Sequence, residues 1–461
     1  MVFSSNIFLY GFLPLFLLAY YATPTRGRSA LILLFSYVFY GWWRPDFLGL
    51  LLGVTLVSYG LALAMQTAID LRRRKHLLTL GVVLNLSALA YFKYANFGVA
   101  SFNAMLSALG FKPVEFATVL LPIGLSFYIF HAISYLVDIY RKEAAPARNL
   151  IDFAAFIALF PHLVAGPVLR YHLLAEQFRS RIHSVQNFAR GCTLFMIGFC
   201  KKVLIADAVA PLADAAFKLS APSFADAWLG TVAYTIQLFF DFSGYTDMAI
   251  GLALMIGFVF PENFNNPYWS GSITEFWKRW HMSLSSWLRE YLYISLGGNR
   301  KGTLRTYVNL FLTMVLGGLW HGANWTFVLW GAWHGGILAL ERYGSERFSA
   351  VAIPRLLRIT TTLLLVMIGW VMFRAVDVTG ALRMYGGMLG INGLAVSPAM
   401  YWELHPDRLL MLAGGAWTAA WMPWLERRRG WLFRYLLVPL FIWALATLSA
   451  QSFTPFLYFQ F

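Results

Sequence analysis

The chain has 461 residues, 59% hydrophobic, 18% aromatic and 12% charged, with a formal net charge of +15 and a mean hydropathy of +0.62. A soluble globular domain carries about 25% charged residues. A deficit spread over the whole length excludes an ordinary water-soluble enzyme and points to an integral membrane protein. The excess Lys and Arg sits in short loops, among them 72–75, 141–142, 170–190, 201–202 and 427–429. That pattern suits loops lying against anionic lipid and argues against a nucleic-acid surface.

The N-terminus, Met1-Val2-Phe3-Ser4-Ser5-Asn6, has no basic region, and no small-residue cleavage site follows the first apolar run. That run therefore reads as a retained span. Apolar runs cover 7–21, 30–43, 47–65, 77–94, 119–139, 153–168, 192–209, 228–260, 307–319, 325–340, 356–373, 409–424 and 432–448. Several fall short of the ~20 residues a straight span needs and are expected to be tilted, re-entrant or buried by neighbours. The expectation is an all-α polytopic membrane protein with about 11–13 spans, one domain over residues 1–461.

Cys192 and Cys200 fall on one expected helix, too far apart for a disulfide, and supply no cysteine metal site; no metal is expected. The polar breaks at 145–149, 179–187, 343–347 and 390–407 are too short to hold a soluble catalytic domain. Chemistry must take place within the helical bundle or at its surfaces. H-E-x-x-H, G-x-S-x-G and Walker A signatures are absent from the sequence, which disfavours a metalloprotease, a serine hydrolase and an ATP-driven pump.

Two segments depart from plain hydropathy. Residues 237–247 hold Asp241 and Asp247 in an apolar stretch. A regular helix would point the two carboxylates to different faces, and pairing with Lys201, Lys202 or Arg279 is the ordinary reading. Residues 274–291 combine aromatic and charged side chains. At helical spacing Phe276, Trp280, Leu284, Trp287 and Leu288 share one face, with Glu275, Lys278, Arg279 and Arg289 mostly elsewhere. This predicts an interfacial or re-entrant amphipathic helix, capped by Ser272 or Thr274 and carrying a Glu275–Arg279 pair. Asn263, Asn265 and Asn266 before Pro267 read as a helix-ending turn, or as contacts for a polar ligand head group.

The most informative stretch is Gly317-Gly318-Leu319-Trp320-His321-Gly322-Ala323-Asn324-Trp325. A buried neutral imidazole suits the removal of a hydroxyl proton, and ionisable groups at membrane depth are costly. The glycines would let a substrate chain approach the backbone, and Trp320 and Trp325 would exclude water. The competing reading is a hydrogen-bonded core histidine. His281 is a second candidate that can meet His321 only through tertiary structure; interfacial packing is its competing role. His334, in Gly331-Ala332-Trp333-His334-Gly335-Gly336, repeats the Trp-His-Gly pattern. On an unbroken helix it would stand ~20 Å from His321, which fits a supporting or pathway-lining role.

Further motifs are Met1-Val2-Phe3-Ser4-Ser5, Tyr91-Phe92-Lys93-Tyr94, Leu121-Pro122-Ile123-Gly124-Leu125-Ser126-Phe127-Tyr128 and Phe160-Pro161-His162-Leu163-Val164-Ala165-Gly166-Pro167. Others are Asp241-Phe242-Ser243-Gly244-Tyr245, Asn263-Phe264, Trp277 through Leu288, Leu296-Gly297-Gly298-Asn299-Arg300, Trp320-His321-Gly322 and the closing Pro455-Phe456-Leu457-Tyr458-Phe459-Gln460-Phe461. As a set, over nearly the full chain, they resemble the membrane-bound O-acyltransferase (MBOAT) family, in particular its bacterial branch of AlgI-type alginate O-acetylation proteins.

The resemblance implies a ring of tilted transmembrane helices with re-entrant segments, in the bacterial inner membrane and multi-pass. It implies O-acetylation of an exopolysaccharide, alginate first, with acetylated bacterial cellulose or a non-catalytic acetyl-export or scaffold component as alternatives. His321 matches the family's catalytic histidine and His281 its second functional position, with Trp320, Asn324, Asp241 and His334 in support. No bound cofactor is expected; acetyl-CoA is the expected donor, and Lys278, Arg279, Arg300 and Lys301 are candidates for its phosphates. Periplasmic polysaccharide acetyltransferases are the expected partners, beside the exopolysaccharide acceptor and membrane lipid. On this reading His321 is the general base or relays the acyl group, and His281 orients the donor or polarises its thioester carbonyl.

Overall fold

The computed structural model describes residues 1–347, 353–427 and 431–450; the Arg428–Arg429 and Pro455–Phe461 readings lie outside the described residues. The described chain is helical, with no strand among the described residues. Three helices among them are long and apolar enough to cross a bilayer: Pro45–Thr67, Leu71–Ala108 and Arg355–Arg374. Large apolar side chains such as Leu18, Leu34, Leu56 and Leu80 are exposed on helical faces. Lipid, not water, is the solvent that tolerates such faces.

The chain forms two units, Met1–Thr193 with Ala249–Phe260, and Leu194–Met248 with the residues from Pro261 on. In the first, helices α1 (Leu13–Ala22), α2 (Arg28–Gly41), α3 (Leu48–Thr67) and α4 (Leu71–Leu89) are followed by α5 (Ala95–Ala108) and α6 (Leu125–Arg141). The apolar run at 119–139 is helical only from Leu125. Before it the chain is extended and bracketed by asparagines of α5: Asn96 exchanges hydrogen bonds with Val119, at 2.7 and 3.0 Å, and Asn103 with Val114. The run at 153–168 is broken too. α7 (Leu150–Ala158) ends before Leu159, and α8 (Phe160–Leu163) follows. Residues Phe153–Leu163 are buried throughout, so protein rather than lipid covers this short helix. α9 (Tyr171–Arg179) and α10 (Val185–Cys200) complete this stretch of chain.

Beyond α10 the chain continues through a π-helical turn at Lys201–Ala206, then α11 (Asp207–Lys218) and the 32-residue α12 (Phe224–Met255). Then come two short helices, α13 (Ile273–Trp277) and α14 (Met282–Trp287), a long hairpin of α15 (Thr303–His321) and α16 (Trp325–Arg347), and α17 (Arg355–Arg374). Helices over Pro406–Arg427 and Trp431–Ala450 close the described chain.

The expected amphipathic helix over 274–291 is thus interrupted between Trp277 and Met282. Its apolar face survives: Phe276, Trp280, Leu284, Trp287 and Leu288 are all buried. Ser272 caps α13 by accepting the Glu275 N–H at 3.0 Å, and Glu275 pairs with Arg279 at 2.8 Å.

Candidate active site

The α15–α16 hairpin closes through its glycines. A Cβ at Gly318 would collide with the carbonyl oxygen of Phe327, one at Gly331 with that of Met314, and one at Gly335 would lie 2.9 Å from Phe311 Cα. Small residues let two helices approach closely where lipid supplies no hydrophobic drive. The space around Gly318 and Gly322 is therefore taken by α16 itself, Phe327 in particular, and is not left for a substrate chain.

The turn between the two helices is pinned by Asn324. Its oxygen accepts the Thr326 N–H at 3.1 Å, and its amide donates to the Val376 carbonyl at 2.8 Å. Asn324 thus caps α16 and sets where α15 ends, which is at His321.

His281 occupies the break between α13 and α14 with φ 45° and ψ 53°, a left-handed conformation. Such a backbone at a non-glycine residue costs about 1–3 kcal/mol and persists only where its surroundings hold it. Two backbone hydrogen bonds do so, Asn265 N–H to Arg279 O and Met282 N–H to Asn263 O, both at 2.9 Å. The Asn263 side chain adds three more: its oxygen meets His281 Nδ1 at 3.1 Å, the Ser283 N–H at 3.1 Å and the Ser283 hydroxyl at 2.8 Å. His281 is fully buried, and its Nε2 has no hydrogen-bond partner among the described residues.

Tertiary structure brings the two histidines together. Their ring centroids are 6.4 Å apart, and Phe242 of α12 stands edge-on to His281 at 4.7 Å. Around His321 stand Trp320, Trp330 and Phe373, at 5.0, 5.2 and 5.1 Å. Leu238, Phe242, Trp280, Trp330, Trp370 and Phe373 enclose with His321 a cavity of about 10 Å³, at the lower edge of the space one water occupies.

His334 is nearer than an unbroken helix would place it, because the hairpin folds it back. Trp330 lies between it and His321, with its centroid 5.1 Å from the His334 ring. Phe276 and Trp277 also pack on His334, and neither ring nitrogen has a hydrogen-bond partner among the described residues.

The charged candidates named from the sequence are held in ion pairs or exposed. Asp241 is buried in an ion-pair triad: Lys202 Nζ is 2.6 Å from Asp241 and 2.7 Å from Asp207, while Lys201 pairs with Asp247 at 2.6 Å. Lys278 is exposed, and Arg279 is engaged by Glu275 and the Asn265 carbonyl. Arg300 and Lys301 sit in the exposed loop before α15, roughly 27 Å along the helix axis from His321.

In the first unit, Asp138, Glu143 and His172 bring possible ligand atoms within 4.8 Å of one another. Asp138 already accepts the His172 backbone N–H at 3.1 Å and ring Nδ1 at 3.0 Å, an arrangement that joins two helix ends without an ion.

In the sequence Asn263 stands out as a turn residue, a head-group contact or part of the Asn263-Phe264 motif, with no link to His281. Phe242 falls in the Asp241–Tyr245 motif without a role assigned to it, and Trp330 and Phe373 carry no signal beyond aromaticity, because aromatic residues are frequent throughout this chain.

Chemically, the site offers one imidazole, His321, on a small apolar cavity, and a second buried imidazole, His281, with its ring centroid 6.4 Å away. That suits proton transfer beside an acyl carbonyl, where a lone pair takes a hydroxyl proton and an N–H meets the developing negative oxygen. Comparison with known proteins points to acyl transfer. A sequence model of the MBOAT, membrane-bound O-acyltransferase family, matches residues 79–376, a stretch that includes both histidines. The chain is 51% identical over 500 residues to the probable alginate O-acetylase AlgI of Azotobacter vinelandii, covering 100% of each. It is 51% identical over 491 residues to that of Pseudomonas putida, again covering 100% of each. It is also 35% identical over 432 residues to the peptidoglycan O-acetyltransferase of Helicobacter pylori, covering 86% of this chain and 81% of that one. A histidine pair enclosed by aromatic side chains, in a lipid-facing helical chain with end-to-end relatives of this kind, thus lies in an acyltransferase, and the chain belongs to the membrane-bound O-acyltransferase family.

Proposed function

We propose that this protein moves acetyl groups onto the hydroxyls of alginate. The observation that carries this reading is the end-to-end similarity to proteins named alginate O-acetylase, at about half identity. The buried His281–His321 pair is the proposed catalytic centre: between them the two rings supply a proton acceptor and a hydrogen-bond donor for the carbonyl oxygen. The proposed donor is acetyl-CoA on the cytoplasmic side of the bacterial inner membrane. The proposed route is across a multi-pass bundle to the polymer, or to periplasmic polysaccharide acetyltransferases that complete the transfer. Asn324, Trp320 and His334 support the centre by fixing the hairpin and its packing. Asp241 supports it through the Lys202 triad. Lys278, Arg279, Arg300 and Lys301 are proposed contacts for donor phosphates at the membrane surface.

The test is the acetyl content of secreted polysaccharide in a deletion strain, complemented with wild type or with His321→Ala at matched membrane levels. Loss of acetyl at unchanged polymer yield supports catalysis, and chemical analysis of the polymer identifies the acceptor. Full acetylation by His321→Ala overturns the catalytic reading in favour of a scaffold.

A further inference from the structure

We propose that Arg28, Arg181 and His183 form a site in the first unit for the phosphate of an anionic phospholipid headgroup. The proposal is independent of the acyl-transfer reading.

The site is built around one hydroxyl. Tyr20, near the end of α1, is fully buried and donates to the Ile256 carbonyl at 2.8 Å. Its oxygen lies 2.9 Å from His183 Nε2 and accepts from Arg181 Nη1 at 3.3 Å. Arg28, the first residue of α2, brings its Nη1 to 3.2 Å from the same His183 nitrogen. Three basic side chains from two separate stretches of chain thus converge on Tyr20.

Each guanidinium is aimed by its neighbours. Arg28 lies over the Tyr20 ring, 4.9 Å from its centroid, and its Nε donates to the Thr23 carbonyl at 3.2 Å. Arg181 lies over Phe258 at 5.0 Å, and its Nη2 donates to the Ser29 hydroxyl at 2.8 Å. Stacking and a fixed acceptor set the plane of each planar fork before any ligand arrives. The loop that carries His183 is seated on Gly257, where a Cβ would lie 3.1 Å from His183 Nε2.

The cluster holds positive charge that the described protein does not neutralise. Among the described residues neither arginine has a carboxylate within ion-pair distance; carbonyl, hydroxyl, imidazole and ring partners meet them instead. Burial first, then the charges of Arg28 and Arg181, hold the His183 imidazole below its ordinary range. Arg28 Nη2 and Arg181 Nε have no hydrogen-bond partner among the described residues, and both side chains are partly exposed. Phosphate oxygens are the acceptors that such forks match, at full charge and in pairs.

The surroundings point to a lipid as the bearer of that phosphate. α1 presents exposed Leu15 and Leu18 just before Tyr20, and α2 presents exposed Leu34 beyond Arg28. The basic groups therefore lie at the rim of an apolar face, at the level where headgroups sit and tyrosines collect. Ile182, between Arg181 and His183, is 73% exposed, and Val185 is 88% exposed. A free anion gives these two side chains no cover, whereas the acyl chains of a bound lipid do.

The test uses the full chain in nanodiscs with 15N-labelled histidine, and the signal lost in His183→Gln identifies the ring. Arg28, Arg181, Tyr20 and Tyr21 are the charged and titratable groups facing it. Phosphatidylglycerol is titrated into phosphatidylcholine nanodiscs. A phosphate on the cluster offsets the two arginines, so the His183 signal is expected to move and its protonation to shift to higher pH. A wild-type signal indifferent to phosphatidylglycerol overturns the proposal without any arginine variant. Inorganic phosphate in phosphatidylcholine nanodiscs is expected to leave the signal in place. A response equal to that of phosphatidylglycerol overturns the lipid source and gives the site to a free phosphate.

Native mass spectrometry of detergent-solubilised protein with added phosphatidylglycerol supplies the second arm. Arg28→Gln with Arg181→Gln is expected to weaken lipid binding ~10–30-fold. Arg72→Gln with Arg73→Gln removes the same charge from exposed positions at the start of α4 and is expected to change binding little. Equal losses in the two pairs overturn a built site in favour of general surface charge.

Discussion

Glu341 of α16 caps α13 from another part of the chain. Its Oε1 accepts the Ile273 N–H at 2.6 Å, and its Oε2 accepts the Thr274 N–H at 2.9 Å and the Thr274 hydroxyl at 2.7 Å. A five-residue helix has little stability of its own. The carboxylate on the histidine hairpin therefore helps fix the segment that delivers His281. Glu341→Ala is expected to cost about 1–2 kcal/mol, the range of a lost helix cap, and to lower acetyl transfer. Thermal unfolding in detergent and transfer at matched protein levels measure both. An unchanged melting temperature and rate would mean that α13 holds its place without Glu341.

Lys202 stands between two carboxylates with almost no exposure. Removing one partner of a buried ion pair typically costs about 3–5 kcal/mol, because the remaining charge stays buried. Lys202→Met is expected to fall in that range. Asp241→Asn in the same chain should recover part of the loss. A double-mutant cycle on melting temperature measures the coupling, and additive losses would argue against a shared network.

Two glycines of α16 should behave oppositely when changed to alanine. Gly331 faces the Met314 carbonyl in the hairpin seam, whereas nothing lies within 4 Å of a Cβ at Gly336. Gly331→Ala is expected to cost about 1–3 kcal/mol through overpacking and to impair transfer by displacing His321. Gly336→Ala is expected to be neutral or to stabilise by up to ~1 kcal/mol through helix propensity. Thermal unfolding of the two variants side by side is the measurement, and equal effects at both positions would contradict the close seam.

His334 packs among Phe276, Trp277 and Trp330, and its ring nitrogens make no hydrogen bond among the described residues. His334→Phe should keep that packing and remove buried polar atoms. Its expected outcome is unchanged or improved stability, with a fall in transfer far smaller than the ~10²–10⁴-fold expected on losing a catalytic base. A loss as deep as that of His321→Ala would instead give His334 a direct part in the chemistry.

The candidate site is legible where chemistry is written in residue type. A histidine among glycines and tryptophans marks His321, and again His334, and a charged aromatic stretch marks the segment around His281. Asn263 is visible as part of a turn, a head-group contact or a motif but not as a partner of His281, since that depends on which atoms of His281 and Ser283 it meets. The glycines beside His321 suggest room for substrate, yet Phe327 and its helix occupy that room. A sequence shows that a side chain is missing, but not what fills the space.

Composition and pattern are enough to set the solvent: a low charge fraction and long apolar runs commit this chain to lipid and its few buried polar groups to internal partners. Local pattern also sets the apolar face of residues 276–288, since burial follows hydrophobicity whatever the backbone does. Other features emerge only on folding. The segment breaks at His281, the hairpin folds His334 back to within one tryptophan of His321, and Lys202 rather than Arg279 neutralises Asp241. Each of these turns on contacts between residues distant in the chain, whose distances arise only when the helices close on one another.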